Sequence, residues 1–419
     1  MKQPTANGVT AGPGKDWQSA AVPSLKGVFS LQDFELKARA HLPRPLFAYV
    51  AGGVEDNVSR QANRAAFDQL ALLPRVLVDV SQRSQRTELL GQTFNAPFGI
   101  APMGLSALLA YDGDRVLARA AEQAGIPMIV SGAALTRMEA VREVAPTSAW
   151  FQAYVPGQSG PIEALIERVC QAGFSTLVVT VDTPTLANRE NNLRAGFSTP
   201  LRPSLRLAWD GITRPRWLLG TLARTLVAHG MPHFENQNAQ RGVPIISKDV
   251  VRQFGAKDHL SWTHIALIRR LWKGRLVVKG VLSHEDTRIA LDHGVDGLIV
   301  SNHGGRQLDG AVAPLRVLPN IVAAKGNMAV MVDSGFRRGT DILKALCLGA
   351  DFVFIGRPML YAAAIAGEAG VAHAIRLLSD EVHRDMALLG VTRIKQLGAQ
   401  CLVHVGANTF IPNERLSDT

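Results

Sequence analysis

In the segment SNHGGRQLD, His303 and Arg306 stand three residues apart on a glycine-rich stretch. A side chain that titrates near neutral pH thus lies beside a permanent cation whose planar fork suits a carboxylate. A base and a carboxylate clamp are the minimum for attacking Cα–H of a 2-hydroxy acid. Two further stretches, VDSGFRRGTD and FVFIGRP, bring Gly335, Arg337, Gly356 and Arg357. Glycine lets backbone N–H groups approach an anion, and arginine adds charge-assisted hydrogen bonds, so a phosphate-bearing ligand is implied, a signal shared with many phosphate-binding barrels.

The elements that must carry these residues follow a regular rhythm. Short β-branched runs predict strands at 97–101, 127–131, 149–155, 176–181, 276–279, 297–301, 329–333 and 352–355. Segments with helical spacing, such as 113–124 and 340–348, lie between them, the pattern of repeated βα units. Eight buried strands indicate an α/β fold of the (β/α)8 TIM-barrel type, although an open doubly wound sheet has the same period. In such a barrel the active site lies at the C-terminal strand ends. There this chain places Gln152 and Tyr154, Thr180 and Asp182, Lys279, Ser301, Asp333, and the histidine, glycines and arginines named above. Any one of them alone reads equally well as a satisfied structural group; their convergence on one rim does not.

Residues 30–70 read as an N-terminal helical extension, opened by a capping box in which Ser30 is followed by Asp33. The rhythm breaks after the fourth strand, where about 95 residues precede the fifth. The excess is a long insertion at about 190–258, with a short amphipathic helix expected within 214–236. The expected organisation is a disordered tail over 1–28, one barrel domain over 29–400 and a C-terminal tail over 401–419.

A net charge of +10 is concentrated in residues 190–275, which hold 14 Lys/Arg against 5 Asp/Glu. Such a patch suits anionic lipid, an anionic substrate, a lid, an oligomer contact or a solvated face; sparse aromatic interleaving argues against nucleic acid. Three scattered cysteines suggest neither a disulfide framework nor a metal site. The N-terminal stretch lacks the apolar core of a signal peptide, and the longest apolar run, 359–367, is too short to span a bilayer. These features favour a cytoplasmic location, peripheral on the inner face of the membrane if the basic insertion contacts lipid.

Taken together, LPRPLFAYVAGGVED, NAPFGIAPMG, WFQAYV, VTVDTPTLANRE, LVVKGV, SNHGGRQLDG, VDSGFRRGTD, FVFIGRP and GEAGV resemble the FMN-dependent α-hydroxy-acid oxidase and dehydrogenase family, which includes glycolate oxidase, L-lactate dehydrogenase and mandelate dehydrogenase. The likeness covers roughly residues 30–400. It implies FMN as cofactor, a small L-2-hydroxy acid as substrate and a homo-oligomer, commonly a tetramer. His303 would be the base and Asp182 would orient it. Arg306 and Arg189 would grip the substrate carboxylate, with Tyr49 and Tyr154 offering hydroxyls. Lys279 would sit beside flavin N1 and O2. Ser131, Gln152, Thr180 and Ser301 would bond the isoalloxazine and ribityl groups, and the backbone of Ala101, Pro102, Met103 and Gly104 would pass the flavin near N5. Asp333 would hold ribityl hydroxyls, and Gly335, Arg337, Gly356 and Arg357 the phosphate.

Three departures bear on specificity. Gly104 stands where several oxidases carry alanine, Ala133 where glycolate oxidase carries tryptophan, and Ser334-Gly335 where Gly-Gly is common. Smaller residues leave room for a larger substrate side chain or another electron acceptor. The basic insertion resembles that of membrane-associated lactate and mandelate dehydrogenases, which favours a quinone as acceptor. A soluble oxidase using O2 shares every catalytic residue, while a phosphate-binding barrel without flavin leaves Tyr49, Asp182, Arg189, His303 and Arg306 without a shared purpose. His373 and His404 are expected to be structural or on the surface, and Trp209, Trp217 and Trp262 to pack.

Overall fold

A computed structural model describes residues 22–198, 201–202, 204–249 and 257–405. Eight parallel strands close into a barrel: β1 Phe98–Ile100, β2 Met128–Ser131, β3 Ala149–Ala153, β4 Thr176–Thr180, β5 Arg275–Val281, β6 Gly297–Val300, β7 Ala329–Val332 and β8 Phe352–Ile355. β8 pairs with β1 through Val353↔Phe98 and Ile355↔Ile100, so no edge remains. All eight predicted strands are present, and closure decides for the barrel over the open sheet.

Alternate residues of each strand face inward. Ile129, Trp150, Val178, Val277, Ile299, Met331, Phe352 and Phe354 fill the interior. The lower end is plugged by a hairpin, Thr87–Leu89 with Gln92–Phe94, whose Leu89 and Phe94 join that cluster. The outward residues pack against the helices in a second, larger core. Burying a leucine- or phenylalanine-sized side chain contributes about 1.5–3 kcal/mol, so the two cores make the strands a rigid base for their upper ends.

The extension is three helices, α1 Leu31–His41, α2 Arg44–Ala51 and α3 Val58–Asp68. The Ser30/Asp33 capping box forms, with Ser30 N–H donating to Asp33 Oδ2 at 2.8 Å. Residues 1–21 of the expected N-terminal tail lie outside the described residues. In the rest of that tail, Pro23–Leu25 makes a 3-10 turn and Val28 is buried. The expected C-terminal tail likewise opens with a strand, Leu402–His404, which pairs antiparallel with Leu70–Leu72. Short polar segments look like tails in sequence when their partner lies far along the chain. After β8, one helix over Arg357–Leu388, kinked at Ala366 and Gly367, packs back along α1 and Gly113–Ala124.

The insertion carries helices at Glu190–Ala195 and Leu205–Ile212. A third starts at Pro215–Trp217, passes through a π turn at Leu218–Ala223 and ends at Arg224–His229. Trp217, Thr221 and Thr225 recur every four residues on its buried face, and Trp217 Nε1 donates to Leu108 O at 2.8 Å. Trp262 packs partly buried, as expected, but Trp209 is 67% exposed, against the expectation that it packs. His373 is structural, bonded to Val28 O at 3.0 Å.

Candidate active site

The SNHGGRQLD loop after β6 builds the centre of the site. His303, Gly304 and Gly305 all have left-handed backbone, φ 57°, 69° and 71°, which folds the loop back over the rim. For a histidine this is a sparsely populated conformation, a kind that concentrates at functional sites. At Gly305 only glycine fits, because a Cβ would lie 2.6 Å from Arg60 N. Asn302 exchanges two amide hydrogen bonds with Asn63 of α3, at 2.7 and 2.9 Å. Asp309 accepts the N–H groups of Val58 and Ser59, capping α3. Half of this motif is therefore carpentry that clamps the loop to the helical extension.

The other half faces a cavity of about 430 Å³ at the C-terminal strand ends. His303 Nδ1 pairs with Asp182 Oδ1 at 2.9 Å, leaving Nε2 to the cavity. Burial pushes the imidazole below its usual pKa of 6.5, partly opposed by Asp182. Burial alone would raise the Asp182 carboxyl, but His303, through its hydrogen bond and its charge when protonated, and the Lys279 ammonium hold it below the usual range. A neutral, oriented imidazole backed by a carboxylate results. Gln307 Nε2 holds the Asp182 carbonyl at 3.1 Å, and its Oε1 accepts from Arg189 at 2.9 Å.

Asp182 fits because β5 bulges at Gly280 (φ 110°), where a Cβ would come within 2.6 Å of the Asp182 Cβ. Just before the bulge, buried Lys279 donates to Ser301 Oγ at 2.9 Å. It lies 3.5 Å from Asp333 Oδ2 and 4.0 Å from Asp182 Oδ2. Although burial opposes its charge, these two carboxylates raise its pKa, so the ammonium persists inside.

Helix α2 ends above the rim, and its last carbonyls collect cations, as a helix C-terminus favours. Arg306 Nη1 donates to Tyr49 O and Gly52 O at 2.7 and 3.0 Å, and its guanidinium stacks 5.0 Å over the Tyr49 ring. Arg357 donates to Val50 O, Gly52 O and Gly304 O, each at 2.9 Å. Burial and the neighbouring charges of Arg306 and Arg337 push Arg357 down to about 9. A buried guanidinium facing two others is an unfavourable arrangement that an anion would relieve.

Phosphate donors were expected on both of the last two loops; at the helix start after β7 the N–H groups of Arg337 and Arg338 bond Asp341 and that of Gly339 bonds Glu381. The helix after β8 has no side-chain cap, and its Gly356, Arg357 and Leu360 line the cavity. An anion therefore has donors chiefly there, with Gly335 and Arg337 at the adjoining wall.

Of the remaining expected residues, Tyr49, Ala101, Pro102, Met103, Gly104, Tyr154, Thr180, Arg189 and Asp333 line the cavity. Ser131, Gln152, Ser301 and Asp182 stand one layer behind. Ser131 Oγ donates to Gln152 Oε1 at 3.2 Å, whereas Gln152 Nε2, fully buried, has no partner among the described residues. That orphaned donor, the guanidinium cluster and the buried ammonium fit a flavin phosphate with polar ring atoms at its other end. The insertion supplies walls that no motif marked: Asn192, Leu193, Phe197, Phe234 and Lys257. Nothing in their local sequence sets them apart, since they are brought here by distant segments: the Glu190–Ala195 helix packs on α2, Glu235 N–H bonds Ala134 O and Lys257 N–H bonds Pro184 O.

The family model for FMN-dependent dehydrogenase matches residues 38–404. (S)-Mandelate dehydrogenase from Pseudomonas putida is 37% identical over 93% of this chain and 98% of its own length. L-Lactate dehydrogenase from Stenotrophomonas maltophilia is 38% identical over 89% and 98% respectively. The crystal structure of a monotopic membrane protein, (S)-mandelate dehydrogenase, superposes with a TM-score of 0.84 at 37% identity, covering 91% of this chain and 100% of that one. The chain belongs to the FMN-dependent dehydrogenase family, as an oxidoreductase whose cofactor is FMN.

Proposed function

We propose that the protein oxidises an L-2-hydroxy acid to the 2-oxo acid and passes the electrons to a membrane quinone. The observation that carries the reaction is the His303–Asp182 pair at 2.9 Å facing a cavity that also holds Arg189 and Arg306. In this reading the two guanidiniums orient the substrate carboxylate, and the Tyr49 and Tyr154 hydroxyls bond the carboxylate and the 2-oxygen. Burial pushes the Tyr154 hydroxyl up to about 12, so it donates rather than ionises. His303 Nε2 takes the substrate proton, and Asp182 stabilises the imidazolium that forms. FMN, when bound, supplies the two-electron acceptor. Lys279, Gln152, Ser131, Thr180, Ser301 and the 101–104 backbone would hold its ring and ribityl chain together with Asp333; Arg337, Arg357, Gly335 and Gly356 would hold its phosphate. Lys279 also offers positive charge where the reduced ring would need it.

The insertion supports a membrane acceptor. Leu205, Trp209, Ile212, Leu219 and Val227 are 60–93% exposed, amid Arg202, Arg214, Arg216 and Arg224. Apolar side chains among cations suit peripheral contact with anionic lipid, and among the described residues no helix is long and apolar enough to cross a membrane.

Anaerobic addition of short and aromatic L-2-hydroxy acids to the yellow holoenzyme tests the reaction: at least one should bleach the flavin, and no bleaching by any would end the proposal. Peroxide formed in step with oxo acid would reassign the acceptor to O2. Serine at Leu205, Trp209 and Ile212 should release the enzyme from anionic vesicles; unchanged binding would remove the insertion from that role.

A further inference from the structure

The insertion places one cation in the cavity that the proposed reaction does not use. Six basic side chains line it: Arg189, Lys257, Lys279, Arg306, Arg337 and Arg357. Lys279 is offset by Asp182 and Asp333. A cofactor phosphate accounts for Arg337 and Arg357, and one substrate carboxylate for Arg189 and Arg306. Lys257 is left over.

Its position is built. Lys257 N–H donates to Pro184 O at 2.8 Å, in the loop after β4, and its carbonyl accepts from Leu260 N at 3.1 Å. Two residues on, the His259 ring bonds Gly157 O at 2.9 Å, in the loop after β3. The segment thus straps the two loops that carry Tyr154 and Asp182, and the ammonium lies 5.5 Å from the Tyr154 ring centroid. Among the described residues it has no carboxylate partner; adjacent Asp258 is exposed and lies 3.7 Å from His259 instead. Burial lowers its pKa to about 8, so at neutral pH a mostly charged, partly desolvated ammonium faces the ligand space. Ala133 and Gly104, small residues that also line the cavity, leave room for a substrate longer than lactate.

We infer that Lys257 is a specificity-determining residue that binds a second anionic group on the substrate, making 2-hydroxy dicarboxylates a preferred class. The inference rests on the hydroxy-acid reading above and adds the far end of the substrate to it. A carboxylate there would gain a charge-assisted hydrogen bond from a site already ordered by its own backbone. The cation–π contact with Tyr154 holds the side chain when no ligand is present.

Paired substrates of equal carbon number test this. Flavin bleaching by (S)-2-hydroxyglutarate and by (S)-2-hydroxypentanoate is compared in wild type, Lys257→Met and Lys257→Glu holoenzymes. Calorimetric binding of 2-oxoglutarate and 2-oxopentanoate is measured alongside. Wild type should favour the dicarboxylate in kcat/KM. Lys257→Met should lower kcat/KM and affinity for the dicarboxylate by about 10–100-fold, the range for a hydrogen bond between charged groups, and change the monocarboxylate less than about threefold. Lys257→Glu should reverse the preference. Equal losses for both substrates, or a wild type that favours the monocarboxylate, would overturn the inference and leave the hydroxy-acid reaction standing. Failure of these two substrates and of every other hydroxy acid to bleach the flavin would remove the reaction itself.

Discussion

The barrel rim and the insertion are both rich in arginine and lysine, yet the same residue types behave oppositely in them. At the rim, Lys279 is 4% exposed and bracketed by two carboxylates, and Arg306 and Arg357 are tied to the carbonyls that end α2. In the insertion, Arg194 is 72% exposed, and Trp209 and Leu205 stand beside their arginines in solvent. Charge that is buried and geometrically fixed acts strongly on one bound molecule, whereas exposed charge is screened by solvent and suits a broad anionic surface. Lys257 is the exception, a residue of the insertion held as the rim holds its own.

If that contrast is right, single changes at the rim should be severe and those in the insertion mild. The largest effect is expected from His303→Ala, which should keep the yellow colour and lose about 10⁴-fold in kcat/KM, the upper range for removing a general base. Loss of colour instead would make His303 a structural residue. Asp182→Asn should lose about 10²-fold or more, and it carries a second signature in pH. Only neutral His303 accepts a proton, so activity should fall as pH drops through a value below 6.5. Asp182 raises that value, so the asparagine variant should shift the acid limb further down. A limb that stays in place would dissociate Asp182 from the base.

Much of this contrast is legible in the sequence. The strands announced themselves because a parallel barrel buries both faces of each, producing runs such as LVV and FVFI that few other environments permit. Rim residues could be ranked because they follow those runs directly. The insertion offered no such anchor: Phe234 reaches the cavity beside Glu235 and Asn236, which are bonded to the 134–138 segment, nearly 100 residues earlier. The start of the helix after β7 is satisfied in a way no local pattern shows, since Glu381 reaches it from 42 residues downstream. Contacts of that span leave no periodic trace. His303 stands out in the sequence, but its left-handed backbone does not, because glycine neighbours signal a turn without saying which residue bears the strain.

Two glycines sharpen the comparison at the level of stability. Gly280→Ala puts a methyl within 2.6 Å of Asp182 on a backbone with φ 110°. It should destabilise the holoenzyme by about 1–3 kcal/mol and depress turnover, because Asp182 must shift. Gly220, inside the π turn of the insertion, meets nothing within 4 Å and has no positive φ. There Gly220→Ala should stabilise by about 0.5–1 kcal/mol through the lost backbone freedom of glycine, with dye-linked turnover unchanged. Thermal melts of the two variants side by side give the sign directly. Destabilisation at Gly220 matching that at Gly280 would mean that the insertion is packed as tightly as the rim, and the assignment of its cations to a surface would fail with it.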